Sequence, residues 1–124
     1  MSIYHSKMKI AIIGSRRRTD KNSVIKLVNS LPSDACVISG GCRGVDSWAV
    51  QRAKERGLKT IVFRPNLTNL TDEWEVIRRF YARNKRIAEE ADVIYAFVAP
   101  DRRGGTENTI KWAKQLNKKV ILRN

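Results

Sequence analysis

The sequence predicts a single Rossmann-like α/β domain, a doubly wound parallel sheet of five strands in the order 3-2-1-4-5. Three observations predict it. Five short apolar runs alternate with four longer stretches of helical periodicity, and such alternation produces parallel crossovers with helices on both faces of one sheet. Glycines follow the first, second and fourth runs, at Gly14, at Gly40 and Gly41, and at Gly104 and Gly105. That is the edge at which open α/β sheets hold their ligands. Finally, the chain has 124 residues and no internal period, enough for one core and too little for two. Residues 1–124 are therefore read as one domain, with 1–7 expected to be flexible.

Met8 to Ile13 reads as a buried strand. An arginine loop, Arg16 to Arg18, leads to a helix that starts near Asp20, carries Val24, Ile25, Leu27 and Val28, and stops before Pro32. Ala35 to Ile38 forms the second strand. Gly40 and Gly41 break the chain, and a helix from about Val45 to Arg56 places Val45, Trp48, Ala49 and Ala53 on one face, with Gly57 as its C-terminal stop. Thr60 to Phe63 is the third strand. Thr71 can cap the next helix, whose first turn holds Asp72 and Glu73. This helix runs toward Ala91 and offers Trp74, Ile77, Tyr81, Ile87 and Ala88 to the core. Val93 to Val98 is the fourth strand, Thr106 to Leu116 the last helix, and Val120 to Leu122 the fifth strand. The order 3-2-1-4-5 puts the topological switch point between strands one and four.

Composition narrows the chemistry. The net charge is +13, from 25 Lys and Arg against 12 Asp and Glu, which attracts polyanions at long range. A general basic surface serving solubility or stability is the plainer reading. Location argues for more, because Arg16, Arg17, Arg18, Arg43, Arg102 and Arg103 all fall in loops after strands. Cys36 and Cys42 have neither disulfide-framework nor zinc-ligand spacing and are expected as free thiols. The one histidine, His5, lies near the N-terminus, so no metal site is predicted. No apolar stretch is long enough to span a bilayer and no signal peptide is evident, so the expected location is cytoplasmic, with no membrane partner.

Ser39-Gly40-Gly41-x-x-Gly44 joins the second strand to its helix, where successive N–H groups and the helix dipole can face an anion. Neither a G-x-G-x-x-G fingerprint nor a P-loop occurs, which disfavours ordinary NAD binding and P-loop chemistry; no cofactor is expected. Asp46 can cap the helix or accept a ribose hydroxyl. Gly104-Gly105-Thr106 offers a second anion cradle. Glu107, one residue on, is a candidate catalytic base or a partner of the helix dipole. Arg83 and Asn84 sit inside a helical pattern, where a solvated basic face is the plainer reading. Asp34 and Asp92 each precede a strand and belong to the opposite edge.

These segments, together with Val45 to Ala49, Arg83-Asn84-Lys85-Arg86-Ile87 and Ala91-Asp92, resemble in combination and order the SLOG superfamily, most closely its small YspA/YpsA-related branch of nucleotide sensors. Relatives are the DNA-processing protein of natural transformation and the LOG-type cytokinin phosphoribohydrolases. The resemblance implies a nucleotide or nucleotide-derived, ADP-ribose-like ligand held by Gly14, Ser15 and Arg16, by Ser39, Gly40 and Gly41, and by Gly104, Gly105 and Thr106. Asp46, Arg83 and Asn84 would line the pocket, with Arg43 and Arg16 supplying charge. The DNA-processing relatives imply instead a single-stranded nucleic acid, and the phosphoribohydrolases imply N-glycosidic cleavage. In the latter, the catalytic glutamate aligns with Thr109 and the lysine of an Arg-Lys pair with Asn84, so little hydrolysis is expected by that route. A homodimer is expected by family analogy and because Trp112, off the Ile110–Leu116 face, has no evident core to enter.

Overall fold

A computed structural model describes residues 7–124; His5 and the rest of the expected flexible segment before Lys7 lie outside the described residues. Strand and helix alternate throughout: β1 (Lys9–Gly14), α1 (Lys21–Asn29), β2 (Cys36–Ser39), α2 (Val45–Glu55), β3 (Lys59–Val62), α3 (Glu73–Glu90), β4 (Val93–Phe97), α4 (Gly105–Gln115) and β5 (Lys119–Arg123). The sheet order is β3-β2-β1-β4-β5 and every pairing is parallel. Gly14 lies opposite Phe97 and Ser39 opposite Val62, so the strands end along a common edge from which every crossover loop departs. Asp92 accepts from the Lys9 N–H at 2.8 Å on the far edge, where the order of elements puts it.

β1, β2 and β4 occupy the middle and are apolar on both faces, as helices on both sides require. On one face Ile10, Ile12 and Val37 pack with Val24, Leu27 and Val28 of α1 and with Val45, Ala49 and Ala53 of α2. On the other, Ala11, Ile13, Ile38 and Ile94 meet Ile87 and Ala88 of α3 and Ile110 and Ala113 of α4. Gly14 closes the first layer: a Cβ there would fall 2.6 Å from Val45 Cγ2 and 2.9 Å from Phe97 Cβ. Only glycine lets the start of α2 lie this close to the end of β1.

Three local expectations are corrected. Asp72 rather than Thr71 caps α3, its carboxylate accepting from the Glu75 N–H at 2.8 Å. Trp74, Ile77 and Tyr81 are not core residues; Trp74 is 72% exposed and Tyr81 47%. Length explains this. The 18 residues of α3 span about 27 Å, whereas strands of four to six residues span roughly 13–20 Å. The apolar stripe buries Ile87 and Ala88 under the sheet and then runs past its edge. Third, Trp112 does have a core to enter: α3 and α4 lie side by side on one face, and the indole packs against that layer with the Lys85 ammonium 5.0 Å from its ring centroid. The helical wheel of α4 alone cannot show the neighbour. No helix among the described residues is long and apolar enough to cross a membrane.

Candidate functional site

The loops leaving β1, β2 and β4 and the middle of α3 enclose a cavity of about 420 Å³ at the carboxyl edge of the sheet. Its wall contains Gly14 at the end of β1 with Ser15 and Arg16 after it, Gly40 after β2, Asp46 of α2, Arg83 and Asn84 of α3, and Gly104, Gly105 and Thr106 at the start of α4. Those ten of the predicted site residues are brought together. Four are not. Ser39 is fully buried beneath the loop, accepting from the Gly41 N–H at 3.1 Å and donating to the Asp46 carbonyl at 3.3 Å. Gly41, at φ 75°, and Arg43 face a neighbouring cavity instead. Glu107 lies outside the wall, where both its oxygens accept from Arg102 at 2.8 and 2.9 Å.

Several lining residues were not singled out as site residues from sequence: Cys42, Phe80, Tyr81, Arg103 and Thr109. Phe80 sits one turn before Arg83 on the same face of α3, a spacing that could have flagged it. Thr109, buried in the wall, is the position that aligns with the phosphoribohydrolase glutamate. Among the described residues Asp46 is the one carboxylate of the lining.

Arg83 and Asn84 are both buried, not a solvated face. Arg83 donates to the carbonyls of Gly40 and Phe63 (the latter at 3.3 Å), to Asn84 Oδ1 at 2.9 Å and to Cys42 Sγ at 3.7 Å. Asn84 donates to Asn108 Oδ1 at 3.1 Å and to the Gly105 carbonyl at 3.4 Å. These two adjacent residues therefore tie α3 to both glycine loops at once, and fix the width of the cavity between them. Asp46 accepts from the Cys42 N–H at 3.2 Å. Burial pushes its carboxyl up to about 6, outweighing the N–H groups of Cys42, Gly40 and Gly14 and the Arg83 guanidinium, which favour the charged form.

The arginines of this edge divide into two sets. Arg17 holds Asp101 at 2.5 and 3.1 Å, lacing the β1 loop to the β4 loop. Arg18 holds Asp20 and also donates to the carbonyls of Val98 and Arg123 at 2.9 and 2.7 Å, clamping the ends of three strands. Its claim on Asp20 explains why that residue begins α1 without a side-chain cap. With Arg102 on Glu107, these guanidiniums are structural. Arg16, Arg43 and Arg103 have no carboxylate within ion-pair distance among the described residues. No cluster there could hold a metal ion, and both cysteines are free thiols. Unpaired arginines beside two helix starts can bind phosphate oxygens through charge-assisted hydrogen bonds.

Residues 2–71 match the family model described as DNA recombination-mediator protein A. Among solved structures, the fold is similar to that of DNA processing protein A from Streptococcus pneumoniae, with a TM-score of 0.77 and 22% identity over 94% of this chain and 50% of that one. The chain thus spans about half the length of that protein, and at this identity the likeness is one of fold. No curated protein gives a significant match.

Proposed function

Because the chain belongs to the DNA recombination-mediator protein A family, we propose that the cavity at the carboxyl edge of its sheet binds single-stranded nucleic acid. A phosphate would lie between Arg16 and the Gly104-Gly105-Thr106 turn, and a base against Phe80 and Tyr81, since stacking on aromatic rings tolerates any base. One observation carries the reading above the others. Arg16 and Arg103 line the cavity from different loops without a carboxylate partner among the described residues, so an anion there meets charge that no carboxylate of those residues pairs with. The net charge of +13 supports the same partner at longer range.

A free nucleotide or ADP-ribose-like ligand is the second reading. What favours it is the cavity volume of about 420 Å³, within the range of small-molecule sites, and the buried Asp46 as an acceptor for a ribose hydroxyl. Fluorescence anisotropy with a short labelled oligodeoxythymidine separates the two. The oligomer is expected to bind at physiological salt, to be displaced by dTMP, and to lose roughly tenfold or more in affinity in Arg16→Ala and in Arg103→Ala, the worth of one charge-assisted hydrogen bond. Binding that vanishes with salt while ADP-ribose remains bound would favour the second reading. Oligomer binding indifferent to both arginine substitutions would overturn the site.

A further inference from the structure

A second cavity of about 360 Å³ adjoins the first. The two share Arg16, Gly40, Cys42, Phe80 and Arg83, and the second adds Gly41, Arg43, Arg64, Pro65 and Leu67. The shared residues mark where the two cavities adjoin. Cys42 Sγ accepts from Arg16 at 3.9 Å and from Arg83 at 3.7 Å, so two guanidiniums meet at one thiol between the chambers. We propose that the site is built for two consecutive nucleotides, one in each chamber, with the linking phosphodiester at Arg16 and a further phosphate held by Arg43 and Arg64.

Size, charge and wall chemistry support this. The second cavity, at about 360 Å³, is more open than the first, at about 420 Å³, and each is of the order that holds one small ligand. Four arginines line the second chamber and no carboxylate does, a more one-sided balance than in the first, which contains Asp46. Arg64 donates from Nη1 to the Gly41 carbonyl at 3.3 Å, which aims its guanidinium at the chamber while leaving other N–H groups for a ligand. Pro65 and Leu67 give a sugar or base an apolar surface, and Leu67 is 44% exposed. Gly41 is needed for this arrangement: a Cβ there would fall 2.6 Å from Arg64 Nη1, and its φ is 75°. A single nucleotide would occupy the first cavity and leave Arg43 and Arg64 of the second unanswered.

The inference rests on the nucleic-acid reading above, and titration calorimetry with 5′-phosphorylated thymidine ligands of one, two and three nucleotides tests it separately. The dinucleotide is expected to bind roughly tenfold tighter than dTMP, and the trinucleotide to add little more. Arg64→Gln keeps an amide donor for the Gly41 carbonyl and removes the charge. It is expected to abolish most of the gain from one nucleotide to two, and to lower the log–log salt slope for the dinucleotide by about 0.7, one phosphate contact on a single strand. No gain from dTMP to the dinucleotide, or a gain that survives Arg64→Gln, overturns the two-chamber assignment even when longer oligomers bind through Arg16. Failure of every ligand, with Arg16→Ala silent, overturns the nucleic-acid reading itself.

Discussion

Asp46 and Gly105 show how a single residue can be costly or unexplained within the chain and still line the cavity. A carboxyl held near 6 by burial retains its proton in the folded chain at pH values where the unfolded chain has released it. Its contribution to stability is complete below the ordinary value of 3.8 and is lost as pH rises through about 6. The shift corresponds to an order of 2–3 kcal/mol at most. Asp46→Asn is therefore expected to gain stability relative to the parent between pH 5 and pH 8, measured by urea unfolding at both; a constant difference would show that Asp46 does not titrate there. The same sign applies to ligands, since the neutral carboxyl repels phosphate less. The charged group facing it is Arg83 from α3, with Cys42 the other titratable neighbour. Gly105 has ordinary φ, and a Cβ on it would meet nothing within 4 Å, so packing does not require glycine. Gly105→Ala should leave stability unchanged or raise it by up to about 1 kcal/mol, as helix propensity dictates. If its glycine serves close approach of a phosphate, oligonucleotide affinity falls in the same variant. A variant both stable and fully binding would remove Gly105 from the site.

At the scale of elements, the strands and most helix bounds were legible because period and punctuation agree in them: Met8 to Ile13 is continuous and apolar, and Gly57 stops α2. What periodicity could not show is where a helix leaves the sheet. Trp74, Ile77 and Tyr81 continue the stripe of Ile87 and Ala88 and look the same in sequence, yet the sheet ends beneath them. Ten of the fourteen predicted site residues lie in the cavity wall, Arg83 and Asn84 being named by the resemblance and not by their helical pattern. Glycines after strands mark its rim, whereas the burial of Arg83 and Asn84 depends on which helix crosses the two loops. Stability should follow the structure rather than the pattern. Trp74→Gln is expected to cost no more than about 0.5 kcal/mol, as an exposed position does. Trp112→Ala, which empties the groove between α3 and α4, should cost roughly 2–4 kcal/mol, both read from urea midpoints with m held constant. A large loss at Trp74 would mean that its stripe is covered in solution.

For the whole molecule, the superfamily resemblance holds on its DNA-processing side, while neither comparison points to the YspA/YpsA-related branch. The net charge of +13 raised a question that sequence could not answer, since a field and a contact look alike in composition. The structure separates them by partner: Arg17, Arg18 and Arg102 are bound to Asp101, Asp20 and Glu107, whereas Arg16 and Arg103 line the cavity with no carboxylate partner among the described residues. Lys111 and Lys114 lie exposed on α4 away from the cavity wall and contribute to the field alone. Reversing both to glutamate lowers the net charge without touching the site, so stopped-flow association with a labelled oligomer should slow, and its ionic-strength dependence flatten, while dissociation stays the same. Arg16→Ala should do the opposite, acting mainly on dissociation because it removes a contact formed only in the complex. If the lysine reversals instead speed dissociation as much as Arg16→Ala does, the oligomer is bound across the surface of α4, and the cavity is not where its affinity arises.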